Sequence, residues 1–210
     1  MTRRNAWPLL VLLAAGGCRD AAAPLDRTNA AGSPLAMARP SSDGTHILQQ
    51  SPTAPPLQDY RVSFWAYVGR ASTLTVNYQP VAGQSVGDSF LRFAIPKNGL
   101  QAGAGGMPLR RGDSVLVRLT IDSLEFVTHF DPSGVQFSNQ FPASLTVWYE
   151  NANPDVNGDG MVTGKDKQLL QQLSFWYHGR IWSQVSSQND TTASSVATDL
   201  YHFSSYAVLW

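Results

Sequence analysis

Oxygen-bearing side chains recur at two-residue spacing in the segment 155–166, which reads DVNGDGMVTGKD. Three of them precede Gly160, whose lack of a side chain permits a sharp bend, and an acidic residue stands at the twelfth position. This pattern is typical of a loop that wraps Ca²⁺, a hard cation that takes roughly six to eight oxygen ligands. The predicted ligands are the side chains of Asp155, Asn157, Asp159 and Asp166, the backbone carbonyl of Met161, and Thr163 directly or through water.

Calcium is expected to be part of the local fold, because three carboxylates packed this closely repel one another without a cation. Val162, at the eighth position, is predicted to anchor the loop on apolar surface. Leu169, Leu170 and Leu173 predict a short amphipathic helix after the loop. The alternative is a surface turn rich in Asp, Asn and Gly that binds no metal.

The pattern D-x-N-x-D-G-x-V-x-x-x-D, with Asp in the last place, resembles the calcium repeat of dockerin modules. Dockerins carry two such repeats and belong to polysaccharide-degrading assemblies, whereas this sequence has one. The resemblance implies a dockerin-like component as one alternative function. Asn151, Asn153 and Pro154 replace an entering helix, so we expect a lone structural site and not a paired sensor that opens on calcium.

Charge and cysteine content exclude several classes of function. The 15 basic and 15 acidic residues give a formal net charge of zero, and no run of Lys and Arg marks a nucleic-acid-binding surface. The single cysteine cannot form an intramolecular disulfide, and no zinc-site spacing accompanies it. We therefore expect no nucleic-acid partner.

The N-terminus has the features of an export signal. Arg3 and Arg4 precede an apolar run that is too short for a permanent membrane span, which predicts a signal peptide over residues 1–17. The segment Ala15-Gly16-Gly17-Cys18 resembles a bacterial lipobox. The resemblance implies a lipid on Cys18 that holds the protein at the membrane of the cell envelope, in the periplasm or at the cell surface. An ordinary secretory peptide with a chance cysteine is the alternative.

Composition divides the rest of the chain at residue 59. Residues 19–58 contain no aromatic side chain, and 23 of these 40 residues are Ala, Pro, Ser, Thr or Gly. Such a segment has too little apolar surface to offset its ordering entropy, so residues 18–58 are predicted to be a disordered tether. Because 21 of the 22 aromatic residues lie at or beyond Tyr60, residues 59–210 are predicted to fold as one domain.

Alternating apolar and polar residues dominate this domain and predict about ten short strands. The first two, over 60–68 and 73–78, are predicted to pair as a hairpin around Gly69. The expected fold class is all-β, an antiparallel β-sandwich of immunoglobulin-like or ZU type with one inserted calcium-binding loop and a short helix. The other strands are predicted near 91–95, 114–121, 125–130, 144–150, 173–178, 181–185, 195–202 and 204–209.

Two segments resemble ZU-type β-sandwich domains, which occur in ankyrins, netrin receptors and bacterial envelope proteins. Residues 130–137 read FDPSGVQF and residues 202–208 read HFSSYAV, and both occur in the family's order. Residues 93–100 are similar to a further turn of the family. The resemblance implies a sandwich used for protein contacts or envelope architecture, with no catalytic residues. In this interpretation Phe130 and Phe137 fill the core, and the Tyr206 hydroxyl ties a corner of the chain.

A second class of function depends on the tryptophans. Trp65, Trp148 and Trp176 alternate out of phase with the apolar residues that are predicted to face the core. Exposed together, they would form a platform for sugar rings or a protein partner; buried, they would be core. No paired-carboxylate or nucleophile motif accompanies the four histidines, so we expect the protein not to be an enzyme.

Overall fold

The structure is a computed structural model and describes residues 46–210. The predicted signal peptide 1–17, the predicted lipidation residue Cys18 and the predicted tether up to residue 45 lie outside the described residues. The elements are, in chain order, β1 (Arg61–Tyr67), β2 (Ser72–Asn77), β3 (Ser89–Ile95), β4 (Leu100–Ala102), β5 (Ser114–Ile121), β6 (Val127–Asp131), β7 (Gln136–Phe137), β8 (Ala143–Trp148), α1 (Gly164–Leu170), β9 (Ser174–His178), β10 (Trp182–Gln184), β11 (Ser187–Asp190), β12 (Ser195–Leu200) and β13 (Ser205–Leu209).

The strands form two main antiparallel sheets that pack against each other. One sheet has the order β1-β5-β6-β13-β9-β10 and the other has the order β11-β12-β8-β3-β2. A small third pair joins β4 to β7. The predicted all-β, antiparallel sandwich with one short helix is therefore confirmed.

The core between the sheets is built around phenylalanine rings. The Phe93 ring, on β3, lies 4.9 Å from the Phe130 ring on the facing sheet, and 5.8 Å from the Phe203 ring. Phe137 contacts Phe203 edge-on at 5.1 Å. Because each of these side chains is buried to 2 % exposure or less, the predicted core positions of Phe130 and Phe137 are confirmed.

Tyr206 ties a corner of the chain, as the sequence predicts. Its ring is buried, and its hydroxyl donates a 2.7 Å hydrogen bond to the backbone carbonyl of His202. Burial raises the pKa of the Tyr206 hydroxyl above its ordinary value, and the neighbouring Tyr177 adds to the rise. The hydroxyl therefore stays protonated and able to donate.

The predicted hairpin between the first two strands is wrong. β1 pairs with β5 over seven residues, whereas β2 pairs with β3, so the two strands belong to different sheets. The turn at Gly69, which has a φ of 82°, carries the chain from one sheet to the other. Alternation identified each strand, but it does not specify the partner, since both strands bury one face in the same core.

Residues 46–58 pack on the sandwich, although their composition assigns them to the tether. Leu48 and Leu57 are each 1 % exposed. The backbone N–H of Leu48 donates to the Val208 carbonyl at 2.9 Å, and Leu57 forms a bridge with Tyr78. Within the described residues, the packed chain thus starts well before residue 59. Two buried leucines and backbone pairing fix a segment whose average composition is that of a linker.

Among residues 46–210, no helix has the length and apolar character needed to cross a membrane.

Candidate metal centre

The segment 155–166 connects β8 to β9 and ends in α1, so it is held at both ends by the sandwich. At its start, the side chain of the buried Asn153 accepts a 3.2 Å hydrogen bond from the backbone N–H of Asp155. At its end, the Asn189 side-chain amide on β11 donates a 2.7 Å hydrogen bond to the carbonyl of Leu170, the last residue of α1. The Asn153 N–H also donates to the Gln49 carbonyl at 2.8 Å, so the start of the loop is tied to the segment before β1 and its end to β11.

The first half of the loop wraps around its own side-chain oxygens. The two carboxylate oxygens of Asp155 accept from the backbone N–H groups of Asp159 at 3.1 Å and Gly160 at 2.8 Å. The Asn157 side-chain oxygen accepts from the same Asp159 N–H at 2.9 Å, and Asp159 accepts from the N–H of Met161 at 3.0 Å. Gly160, with a φ of 85°, adopts the left-handed conformation that the bend requires.

Asp166 closes the loop. One of its carboxylate oxygens accepts from the backbone N–H groups of Val156 at 2.9 Å and Asn157 at 3.2 Å. The other accepts from the N–H of Thr163 at 2.7 Å and from its hydroxyl at 3.0 Å. The side chain is 1 % exposed, so its four hydrogen bonds are made in a largely dry environment.

Two opposing effects set the pKa of the Asp166 carboxyl. Burial raises it, but the hydrogen bonds from Thr163, Asn157 and Val156 stabilise the charged form and outweigh burial. The net result is a pKa below the ordinary value of an aspartate. Asp166 is therefore an anion in the folded protein at neutral pH.

Thr163 and Asp166 also start α1. Thr163 is the N-cap residue, and its side chain accepts from the N–H of Lys165 at 3.2 Å. The Asp166 carboxylate in turn accepts from the backbone N–H of Thr163, which completes a capping box with Asp in the place usually held by Glu. The helix that follows is the one the sequence predicts, although it ends at Leu170 and so does not include Leu173. Leu169 and Leu170 pack against the core, and Leu173 is buried in it.

The residue that anchors the loop is Val156, not Val162 as predicted. Val162 is 64 % exposed, whereas Val156, at the second position of the loop, is 3 % exposed and belongs to the core cluster. The backbone N–H of Val156 donates to the Asp166 carboxylate, while the Val156 side chain packs in the core. In the sequence, a valine beside the first ligand position is as good a candidate for this role as the valine at the eighth position.

The chemistry of the donors fits Ca²⁺, because every predicted ligand atom is an oxygen. Each carboxylate oxygen of Asp155 and Asp159 accepts one hydrogen bond from the loop, which leaves it acceptor capacity for a cation. The four acceptor positions of Asp166 are all used. Among residues 46–210, no group of three or more Asp, Glu, His or Cys side chains converges as a metal site. A bound ion would therefore have to draw Asp166 from some of its present donors.

The three tryptophans of the predicted platform do not share one surface. Trp148 lies on β8 of the five-stranded sheet, whereas Trp65 and Trp176 lie on β1 and β9 of the six-stranded sheet. β1 and β9 are four strand spacings apart, roughly 19 Å. Trp65 is 54 % exposed, while Trp176 packs in a small cluster with Val127, Ala207 and Leu209. A sugar-binding platform of all three side chains is thus excluded by the topology.

In comparisons with family models, curated proteins and solved structures, no match to this chain was found.

Proposed function

We propose that the protein is an exported, non-catalytic β-sandwich whose segment 155–166 binds one structural calcium ion. The observation that carries this proposal is the burial of Asp155 and Asp166, the first and last residues of the loop, with 7 % and 1 % of their surface exposed. Two buried anions in one short loop are costly unless a cation or hydrogen bonds offset their charge. Calcium would supply a positive charge that the loop's hydrogen bonds do not.

The ion would be held by the oxygens of Asp155, Asn157 and Asp159, the carbonyl of Met161, and Asp166 and Thr163 at the start of α1. Bound there, calcium supplies charge neutralisation and cross-links the two halves of the loop. The chain's own part is structural: Val156 fixes the loop to the core, and the Asn189 contact fixes the helix to the sheet. A test is a thermal melt of the chelator-stripped chain with and without Ca²⁺, with Mg²⁺ as the control ion.

The site of action in this proposal is the bacterial cell envelope, with the chain tethered by a lipid on Cys18. The sequence Ala15-Gly16-Gly17-Cys18 and the preceding apolar run support it. Expression with a labelled fatty acid tests it: the label and partition into a detergent phase should both be lost in Cys18→Ala. Retention of either property in that variant would contradict lipidation at this residue.

Protein interaction or envelope architecture is the function that the resemblance to ZU-type sandwiches supports. The segments 130–137 and 202–208, which carry the resemblance, meet in the core through Phe130, Phe137 and Phe203. A carbohydrate-binding role is the second candidate, and a polar groove on the five-stranded sheet favours it. A dockerin-like role rests on the single calcium repeat alone.

A further inference from the structure

We propose that a groove on the outer face of the five-stranded sheet binds a neutral saccharide. The groove has a volume of about 340 Å³, within the size range of small-molecule sites, roughly 300–1,000 Å³. This inference rests on the second candidate function, carbohydrate binding, and names its ligand class, at residues separate from the three tryptophans. The lining of the groove includes Ser144, Ser186, Gln188, Ala197, Asp199 and Tyr201.

Strand register explains why the groove forms here. Asp199 on β12 pairs with Ser144 on β8, and Ala197 pairs with Gln188 on β11. Paired residues lie side by side on the same face of a sheet, and residues two apart on a strand share that face. The short side chain of Ala197 thus leaves a depression beside the longer side chains of Gln188 and Asp199.

One wall of the groove, the segment 185–187, is held in place by hydrogen bonds. The buried Thr198 hydroxyl donates a 2.8 Å hydrogen bond to the Ser186 carbonyl. In the same connection, the Ser187 hydroxyl donates to the Val185 carbonyl at 3.0 Å and accepts from the N–H of Phe175 at 2.9 Å. Because these bonds fix the segment 185–187 before any ligand arrives, little ordering entropy is lost on binding.

The exposed groups around the depression can contact both the hydroxyl groups and the C–H face of a sugar. The Asp199 carboxylate can accept hydrogen bonds from the vicinal hydroxyls of a sugar. The Gln188 amide and the hydroxyls of Ser144 and Ser186 can both donate and accept. Tyr201, 48 % exposed, offers an aromatic ring against which the C–H face of a sugar can pack.

The charge of the groove selects among sugars. Asp199 is the only charged residue among those that line it. A carboxylate accepts hydrogen bonds from hydroxyl groups strongly but repels sulfate, phosphate and uronate groups. A neutral glycan is therefore the favoured ligand class, and an acidic one is disfavoured.

The test is calorimetric titration of the full chain, in excess calcium, with neutral tetrasaccharides of glucose, xylose, mannose and N-acetylglucosamine. Galacturonic acid tetrasaccharide serves as the charged control. We expect at least one neutral probe to bind with a dissociation constant of about 1 mM or lower. Tyr201→Ala and Asp199→Ala should each weaken that binding by about tenfold or more, whereas Tyr201→Phe should keep it. Trp65→Ala, on the opposite sheet, is the matched aromatic control and should leave binding unchanged.

Several results would overturn the proposal. They are the absence of binding by all neutral probes at about 10 mM, binding that survives both groove variants, or preferred binding of the uronate. Melting curves of each variant show whether the fold is retained; Tyr201 and Asp199 are exposed, so both variants should fold. Failure of the calcium site would appear separately, as an unchanged melting temperature on addition of Ca²⁺ without sugar.

Discussion

A carboxylate oxygen of Asp166 accepts a 2.9 Å hydrogen bond from the backbone N–H of Val156, which joins the twelfth residue of the loop to the second. Since the Val156 side chain is buried in the core, this bond fastens the closing residue of the loop to the sandwich itself. The loop therefore has two kinds of support. Asp166 and Val156 hold it by hydrogen bonding and packing, and a calcium ion would add a contribution that depends on Asp155, Asn157 and Asp159 together with Asp166.

Replacement of Asp159 separates the second kind of support from the first. Asp159 is exposed and accepts from an exposed N–H, so Asp159→Ala should change the free energy of unfolding in chelator by no more than about 0.5 kcal/mol. In calcium, the same variant should lose most of the calcium-dependent stabilisation, because a charged ligand is missing. Urea unfolding in both conditions measures this. Asp59→Ala, an exposed acid outside the loop, should behave like wild type; equal losses for Asp159→Ala in both conditions would refute a metal role.

Replacement of Asp166 should be costly with or without the ion. Asp166→Ala strands the backbone donors of Val156, Asn157 and Thr163, so we expect a loss of about 2–3 kcal/mol even in chelator. Gln168→Ala, at an exposed position of the same helix, is the control and should be near neutral. If Asp166→Ala is as stable as the control when both are unfolded in EGTA, the hydrogen bonds of Asp166 do not stabilise the fold.

The N-terminal boundary is testable at Leu48. This side chain is 1 % exposed, so Leu48→Ala should lower the free energy of unfolding by about 2–5 kcal/mol. The exposed Thr53, in the same segment, provides the control, and Thr53→Ala should change stability by less than about 0.5 kcal/mol. If both variants unfold at the wild-type urea concentration, residues 46–58 act as a tether after all.

The raised pKa of the Tyr206 hydroxyl predicts that the stability of the fold depends on pH in the alkaline range. Burial raises the pKa of its hydroxyl in the folded protein, whereas in the unfolded chain it ionises near pH 10. Its contribution is therefore fully present below about pH 10 and is lost as the pH rises toward the folded value. Tyr206→Phe removes the hydrogen bond to the His202 carbonyl and should lower the free energy of unfolding by about 1 kcal/mol at neutral pH. Its free energy of unfolding should also fall less steeply than that of wild type above about pH 10.

The measurement is urea unfolding at several pH values between neutral and strongly alkaline. Tyr78, which is also buried with a raised pKa, remains in the variant, so the alkaline decline should be reduced and not abolished. Parallel declines in wild type and Tyr206→Phe would contradict the role assigned to this hydroxyl.

Local patterns in the sequence predicted ten of the thirteen strands and the helix, because burial of one face imposes a period of two or of about 3.6 residues. The short strands β4, β7 and β11 were not predicted. The partners of the strands were not accessible in this way. β1 and β2 follow one another across Gly69, yet their partners β5 and β3 are set by contacts distant in sequence. The same limit applies to Leu48, whose burial depends on pairing with β13.

The loop shows a similar division. Its oxygen donors and the following helix could be predicted, because their spacing is local. The anchoring role of Val156 and the complete hydrogen bonding of Asp166 could not, since both depend on how the loop folds back on itself. The separation of Trp148 from Trp65 and Trp176 required the order of strands in the two sheets. The groove at Ala197 required their register.

Calorimetric titration of Ca²⁺ into the chelator-stripped full chain, with melting curves of the same samples, tests the central claim most directly. We predict one binding site per chain and a rise in melting temperature, corresponding to about 2.7 kcal/mol when free calcium exceeds the dissociation constant roughly a hundredfold. Asp159→Ala should weaken or abolish both effects. An absence of binding heat together with an unchanged melting temperature would contradict the claim and leave segment 155–166 as a hydrogen-bonded turn clasped by Asp166.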